Sequence, residues 1–383
     1  MVTLDLNCLR CHRLGHDPAR GQEDAHHLAR ILETVGLDGI ENRAATDYGK
    51  WVKEKGNMFH LRDGVDGHRG TPKLRWEMLL ASAGEVIEFG DYWVDVWNDP
   101  DAPARVDDYV FDPKHLHQAL IALDDPLPDN VWLAGERGTG KTEFVSQVAS
   151  RLGRKLFRVN FDEAIERAEF IGGNTIKDGS VVWKEGVITQ AIQHSGAIVL
   201  LDEIGFARAQ NLAVLHAVTE HSPHRALVIA ETGVRFPVAS HVAFFCADNS
   251  NGHGDASGNF AGVRDQNTAF IDRFSYTLQF QYLQPTDEVA LITKRTNLPV
   301  DATEILVKFA NVAREKARAG LLTQPPSLRQ LFAWARAIQK GVPVAIAFEN
   351  AIVNKFPADC ESELRGVFSA TIDTAQLKSY LTK

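Results

Sequence analysis

The chain has 383 residues, of which 44% are hydrophobic and 24% are charged, a composition typical of a globular protein and unlike that of a fibrous or disordered one. Its formal net charge of −9 argues against bulk attraction to nucleic acid or to an anionic membrane surface. No apolar run approaches the roughly 18 residues of a membrane-spanning helix, and the N-terminus lacks the pattern of a signal peptide, so we expect a cytoplasmic protein.

The first 104 residues are predicted to form a separate recruitment domain that includes a candidate zinc site. Cys8 and Cys11 have the spacing of paired zinc ligands, and His16 with either His26 or His27 could complete the set. The second histidine of a Cys₂His₂ finger is missing at its usual spacing, so reduced thiols without zinc are the alternative interpretation.

Charge is unevenly spread along this N-terminal region. Residues 43–77 hold eight Lys or Arg against five Asp or Glu, whereas residues 85–108 hold eight acidic residues and one basic residue. The basic half suits either a contact with nucleic acid or an ordinary solvated surface. Residues 99–103, DPDAP, predict a linker to the rest of the chain.

A phosphate-binding loop is the strongest motif in the sequence. The apolar run 131–134 predicts a buried strand, and an amphipathic segment up to Gly153 predicts a helix. Between them lies a complete G-x-x-x-x-G-K-[ST] match, Gly135-Glu136-Arg137-Gly138-Thr139-Gly140-Lys141-Thr142. In such a loop, backbone N–H groups turn toward a polyphosphate, the lysine neutralises the β/γ oxygens, and the threonine hydroxyl ligates magnesium.

Two further apolar runs end in polar residues suited to hydrolysis. The run 197–201 is followed by Asp202 and Glu203, which are predicted to hold magnesium and to orient or deprotonate the attacking water. The run 242–246 leads to Asn249, whose amide is a candidate to hold that water or the γ-phosphate, with a simple turn cap as the alternative. Ligands of parallel sheets bind at the carboxyl ends of strands, where all three residues are expected.

Arg273 lies among apolar residues in AFIDRF, directly after Asp272. Because an arginine is always charged, it needs an anionic partner in such a setting. The sequence leaves two partners open: Asp272 in the same subunit, or the γ-phosphate bound to a neighbouring subunit. In the second case Arg273 would act as an arginine finger, a group that raises the turnover rate by about 10³- to 10⁵-fold.

The remaining segments predict hairpins and then helices only. Residues 174–186 and 226–238 contain β-prone runs around a glycine turn and predict hairpins, or loops that only complete the sheet. Beyond Pro285, Asp301 with Glu304 predicts one capping box, and Ser327 is predicted to cap a helix that ends at Gly341. The expected fold is α/β, with a doubly wound parallel sheet in a core at 105–285 and an all-helical lid at 286–383.

The order of motifs GERGTGKT, VLLDEIG, CADN, IDRF and PPSLRQLFAW resembles the AAA+ ATPases of the MoxR branch. Within that branch, the polar stretch 249–274 and the segments KEGVITQAI and GVPVAIAFENAIVNKF are similar to the CobS-like small ATPase subunits of cobaltochelatases. The resemblance spans roughly residue 112 to the end. It implies a nucleotide-binding core of the P-loop NTPase fold, with magnesium and ATP as cofactors.

The same resemblance implies roles for individual residues. Lys141 and Thr142 would act on phosphate and magnesium, and Asp202 and Glu203 would be the metal and base carboxylates. Asn249 would be sensor 1, Arg273 the finger acting in trans, and Arg329 sensor 2. Relatives read Ser-Pro-Arg at the last site where this chain reads Ser-Leu-Arg, so we expect a less firmly fixed helix start there, and a solvated arginine is the alternative.

The resemblance also implies a biological role. Relatives form rings, expected here to be hexameric, whose two hairpins project toward the centre and which remodel or activate a partner protein carrying a von Willebrand A domain. Metal insertion into a tetrapyrrole and activation of a metalloenzyme are the roles it suggests. The competing hypothesis is a nucleic-acid-dependent AAA+ motor that binds DNA through its N-terminal domain.

Overall fold

The computed structural model describes residues 93–249, 252 and 264–381, together with short strands at 59–61 and 72–75. These residues divide into two compact units. Unit one contains the described residues up to Leu133, with Thr142–Asp248 and Gln266–Leu278. Unit two contains Ala134–Lys141, the described part of Asn249–Asp265, and the described residues from Gln279 onward.

The first three strands form a small antiparallel sheet in the order β1-β2-β3. They are β1 Phe59–Leu61, β2 Pro72–Arg75 and β3 Trp93–Asp95. Beyond β3 the chain packs on other parts of unit one: the Trp97 amide donates to the Leu152 carbonyl, and Asp99 and Asp101 contact His194 at 2.5 Å and Lys155 at 2.6 Å. The first residues of the predicted linker at 99–103 are therefore fixed by side-chain contacts to His194 and Lys155.

The central sheet has five strands in the order β12-β4-β11-β8-β5. They are β4 Val131–Gly135, β5 Leu156–Asn160, β8 Ile198–Asp202, β11 Ala243–Asp248 and β12 Tyr276–Phe280. β8 pairs in parallel with both β5 and β11, and both β8 and β11 are wholly buried. Continuous apolar runs are what strands covered on both faces require, so the predicted parallel sheet is confirmed.

Seven helices accompany these strands in the described chain. They are α1 Pro113–Leu123, α2 Lys141–Arg151, α3 Arg167–Phe170, α4 Val187–Ile192, α5 Ala209–Leu212, α6 His216–Thr219 and α7 Thr268–Ile271. The face of α2 that carries Phe144, Val145 and Val148 is buried, as its amphipathic pattern predicts.

Both predicted hairpins are present as antiparallel pairs. One joins β6 Gly172–Lys177 to β7 Ser180–Glu185, and the other joins β9 Ala226–Val228 to β10 Arg235–Pro237. Asp178 and Gly179 have φ of 51° and 77° in the first turn, which is the left-handed backbone that a two-residue hairpin turn favours.

From Pro285 to Leu381 the described chain is helical, as predicted. The helices are α8 Pro285–Thr296, α9 Val300–Arg318, α10 Leu328–Gln339, α11 Val344–Ala351, α12 Ala358–Thr371 and α13 Thr374–Leu381. Their core contains Phe309, Trp334 and Phe348 in mutual aromatic contact at 5.2–5.4 Å. Among the described helices, none combines the length and apolar character needed to cross a membrane.

One predicted helix start is wrong. The capping box expected from Asp301 and Glu304 does not form, because α9 begins earlier, at Val300, with Pro299 as its N-cap residue and no side-chain cap. The ring of Pro299 fixes φ at the N-cap position, so the helix can begin at Val300 without a side-chain hydrogen bond and before Asp301 could act as a cap.

Candidate functional site

The phosphate loop leaves β4 at Gly135, and all three of its glycines have a positive φ, which is 147° at Gly135. Gly138 has φ of 76° and Gly140 has φ of 94°. A side chain at Gly138 would also place its Cβ only 2.6 Å from the Cβ of Ser327. Glycine is thus required at position 138 both by conformation and by space. Such a backbone lets successive N–H groups converge on one anion.

Lys141 lies inside this loop with 8% of its surface exposed. Its Nζ donates to the carbonyl oxygens of Gly135 at 2.6 Å and Glu136 at 3.0 Å, and to the Asn249 Oδ1 at 2.9 Å. The lysine and the amide that the sequence analysis assigned separately are therefore brought together. A buried ammonium group at this position is suited to a phosphate oxygen, which would supply the compensating charge.

Asp202 lies at the end of β8, with its side chain buried beside α2. The Thr142 Oγ1 donates to its Oδ2 at 3.0 Å, and the Arg158 Nη2 contacts the same oxygen at 2.6 Å. A hydroxyl and a carboxylate this close are hard oxygen ligands of the kind that magnesium prefers, so the predicted pair Thr142 and Asp202 fits that metal.

Sequence reasoning did not identify Arg158 as part of this cluster. Arg158 lies on β5 two residues before Asn160, and Asn160 pairs in register with Asp202. Side chains two apart share a face of a strand, which explains why Arg158 reaches Asp202. The available signal in the sequence was an arginine two residues before Asn160 in the strand LFRVN, whose other three residues are apolar.

Glu203 follows Asp202 with an unusual backbone and a buried carboxylate oxygen. Its φ and ψ are 58° and 35°, a left-handed conformation that costs roughly 1–2 kcal/mol for a residue with a side chain. Its Oε2 is buried and has no hydrogen-bond partner among the described residues. A carboxylate oxygen in this condition is free to accept a proton from a water molecule.

Arg273 is half-buried after α7 and forms no ion pair with Asp272. Its Nε donates to the His216 carbonyl and its Nη1 to the Ala269 carbonyl, both at 3.2 Å. Burial, together with the positive charge of Arg273, lowers the pKa of the His216 imidazole below its usual value. Of the two partners that the sequence left open, the intramolecular carboxylate is therefore not used.

Arg329 is exposed in the first turn of α10, and its side chain has no hydrogen bond or ion pair in the described chain. The start of this helix is firmly fixed, contrary to expectation. Ser327 caps the Gln330 amide at 3.3 Å, while the Gln330 side chain accepts from the Ser327 amide at 2.8 Å. This reciprocal capping box fixes the start of the helix, although the proline expected from the family resemblance is absent.

The candidate zinc ligands Cys8, Cys11, His16 and His27 lie outside the described residues. Within the part of the chain that is described, no group of three or more His, Cys, Asp or Glu side chains is arranged to hold a metal ion.

Comparison with known proteins agrees with this geometry. Residues 130–274 match the family described as AAA domain (dynein-related subfamily), and residues 288–370 match CbbQ/NirQ/NorQ C-terminal. The chain is 30% identical over 261 residues to the aerobic cobaltochelatase subunit CobS of Sinorhizobium sp, covering 65% of this chain and 76% of that protein. It is 30% identical over 246 residues to the protein NorQ of Paracoccus denitrificans, covering 64% and 85%.

A solved structure similar to this chain is the RuvB Holliday junction branch migration motor of Thermotoga maritima. The TM-score is 0.42 at 13% sequence identity, and the alignment covers 71% of this chain and 74% of RuvB.

A phosphate loop on a parallel sheet, a strand-end Asp-Glu pair and a helical C-terminal region together define an AAA+ ATPase, which binds ATP with magnesium. The match of residues 288–370 to the CbbQ/NirQ/NorQ C-terminal family identifies the branch of this class. The chain belongs to the MoxR branch of the AAA+ ATPases, in the group that includes CobS, NorQ and CbbQ.

Proposed function

We propose that this chain is the subunit of a ring, expected to be hexameric, that uses ATP hydrolysis to remodel or activate a partner protein. The observation that carries the proposal is Arg273, a half-buried cation held by two backbone carbonyls, with no acidic partner among the described residues. Carbonyls orient a guanidinium without neutralising it, so its charge stays available to an anion supplied by another molecule.

Within one subunit, the proposed roles follow from the contacts described above. Lys141 binds the β- and γ-phosphate oxygens, and Asn249, already hydrogen-bonded to Lys141, orients the γ-phosphate or the attacking water. Glu203 accepts the proton of that water through its unpartnered oxygen. Thr142 and Asp202 would hold magnesium, which supplies neutralisation of charge on the phosphate oxygens.

Two arginines complete the proposed site. Arg273 would reach the γ-phosphate on the neighbouring subunit, and Arg329, exposed at the start of α10, would reach the nucleotide of its own subunit. In this arrangement residues 105–285 are the nucleotide-binding core, residues 286–383 are the lid, and residues 1–104 are the recruitment domain. Loss of the γ-phosphate would then release both arginines, and the lid with them.

The hairpins are the proposed contact with the partner. Ile176 and Val181 face each other across β6 and β7 and are 77% and 70% exposed. Val228 and Val234 of the second hairpin are 53% and 47% exposed. Exposed apolar side chains at the ends of hairpins suit a protein partner better than a polyanion. A partner with a von Willebrand A domain, within a metal-chelatase or metalloenzyme complex, is the partner that we propose.

Mixing two inactive variants tests the shared site. Arg273→Ala keeps Glu203, and Glu203→Gln keeps Arg273, so a mixed ring contains sites with both groups intact. We expect ATPase activity to reappear when these variants are mixed. As a control, Lys141→Ala mixed with Glu203→Gln should stay inactive, because both residues serve their own subunit. No recovery in the first mixture would refute the action of Arg273 in trans.

Two measurements test the assembly and its client. The first is the mass of the protein with and without ATP, and the second is the ATPase rate with and without DNA. A particle of about six subunits and a rate indifferent to DNA are the expected results. A rate that rises with DNA would instead favour the nucleic-acid-dependent motor.

A further inference from the structure

The phosphate loop packs with the helices of its own unit. Residues 134–141 belong to unit two, together with α8 to α13. The Tyr282 hydroxyl, just before α8, donates to the Arg137 carbonyl at 2.8 Å. Arg318 at the end of α9 contacts the Glu136 carboxylate at 3.4 Å. The helical region thus touches the loop at successive residues.

Arg314 organises these contacts from the interior. Its guanidinium makes two hydrogen bonds to the Glu288 carboxylate, at 2.8 and 2.7 Å, and both side chains are almost fully buried. The same guanidinium lies 3.8 Å from the centre of the Tyr282 ring. An ion pair this deeply buried is stable only when its geometry is held closely, so the guanidinium is a rigid support for that ring.

Arg314 also connects to the start of α10. Its Nε donates to the Pro326 carbonyl at 3.2 Å, immediately before the capping residue Ser327. Ser327 in turn leaves no space for a side chain at Gly138 of the loop. One buried arginine therefore supports both Tyr282, which contacts the loop at Arg137, and the segment that begins the Arg329 helix.

The contact at Arg137 has a direct consequence for phosphate binding. In a trans peptide the carbonyl of one residue and the N–H of the next point in opposite directions, and the described chain has no cis peptide. Holding the Arg137 carbonyl against Tyr282 therefore turns the Gly138 N–H the other way. Burial raises the pKa of the Tyr282 hydroxyl well above its usual value, so this hydroxyl stays a donor at any physiological pH.

We propose that Tyr282 and Arg314 are positioning residues for nucleotide binding, because they hold the Arg137–Gly138 peptide of the phosphate loop in the orientation that presents its N–H to phosphate. Neither residue touches the reacting atoms. The inference rests on ATP binding by this loop and is independent of ring formation and of any partner.

The test is Tyr282→Phe in the full chain, which keeps the ring on Arg314 and removes only the hydroxyl. Tyr380→Phe is the control, because it also removes a tyrosine hydroxyl in unit two, one that accepts a hydrogen bond from the Gln376 side chain at 2.9 Å. Binding of ADP is measured by titration of a fluorescent ADP analogue. We expect the Kd of Tyr282→Phe to rise about 3- to 10-fold, as for the loss of one hydrogen bond, and that of Tyr380→Phe to stay within 2-fold.

Two further readouts separate positioning from general stability. The KM for ATP should rise with the Kd while kcat changes less than about 2-fold, since the residue acts on binding. The unfolding temperature of the nucleotide-free protein should be the same for both variants. An unchanged Kd in Tyr282→Phe, or an unfolding temperature clearly below that of Tyr380→Phe, would overturn the proposal. Either result would leave the mixing test of Arg273 unaffected.

Discussion

At the scale of single residues, the proposed chemistry depends on two carboxylates that follow one another but have different surroundings. Asp202 is buried and shared between Thr142 and Arg158, whereas Glu203 has a left-handed backbone and an unpartnered oxygen. A paired carboxylate is suited to holding a cation, and an unpaired one to accepting a proton. The contacts of each residue therefore support the two roles that we propose.

Glu203→Gln should bind ATP normally and hydrolyse it about 10² to 10⁴ times more slowly, because the amide cannot accept a proton. The measurement is nucleotide binding by fluorescence alongside phosphate release. Glu220→Gln, at an exposed position beyond α6, is the control and should match the parent. Parent-like turnover in Glu203→Gln would remove this residue from the mechanism.

Arg158→Gln should lower the magnesium concentration needed for half-maximal binding of ATP by about 1.5- to 5-fold. The guanidinium competes for the Asp202 oxygen, but it is half-exposed, so the effect is that of a partly screened ion pair. Titration with magnesium at fixed fluorescent ATP measures it. Arg167→Gln, which breaks a comparable ion pair with Glu231, should leave the magnesium requirement unchanged. A higher requirement in Arg158→Gln would contradict the competition.

At the scale of elements, the start of α10 is fixed by a capping box and not by a proline. The helix lacks the proline that the family resemblance led us to expect, yet Ser327 and Gln330 cap each other. The capping box fixes the orientation of the first turn, which contains Arg329.

Ser327→Ala should destabilise the helical region by about 1 kcal/mol, because the Gln330 amide loses its side-chain acceptor. Thermal or urea unfolding followed by circular dichroism gives the difference. Ser379→Ala, near the end of α13, removes an exposed hydroxyl that donates to the local Gln376 carbonyl, and it should cost less. An equal loss of unfolding free energy in both variants would show that the Ser327 cap does not stabilise the helical region more than an ordinary surface hydroxyl does.

The first hairpin is the element that we propose contacts the partner. Ile176→Ser combined with Val181→Ser should leave the stability and the basal ATPase rate unchanged, because both side chains face solvent. Stimulation by the partner protein should be lost. The same exchange at Val300, another exposed apolar residue but in the helical region, is the control. Full stimulation of the hairpin variant would exclude this hairpin from the contact.

At the scale of the whole molecule, a site completed by a neighbour makes turnover depend on assembly. If Arg273 acts on a neighbouring subunit as proposed, isolated subunits lack that arginine at their nucleotide, so the ATPase rate per subunit should fall steeply on dilution below the concentration at which the ring forms. Serial dilution with parallel measurement of mass tests this. A rate per subunit that is constant while the particle dissociates would show that each chain is complete by itself.

Much of the fold and the loop chemistry could be predicted because the responsible residues are neighbours in the sequence. The glycines, Lys141 and Thr142 occupy eight consecutive positions, and Asp202 directly follows its apolar strand. Helix starts were less predictable: Pro299 displaced the capping box expected at Asp301. The N-terminal zinc site and the domain limits stay predictions.

The sequence alone indicated the class of protein and its reaction, since the order of its motifs resembles that of a known family, and strand, loop and helix are set by local apolar patterns and by glycine. Only the tertiary structure decided that Lys141 meets Asn249, that Arg158 shares Asp202, and that Tyr282 holds the loop at Arg137. The physical reason is that these partners are far apart along the chain. Contacts of this kind depend on the order in which strands and helices pack, and no local pattern of residues specifies that order.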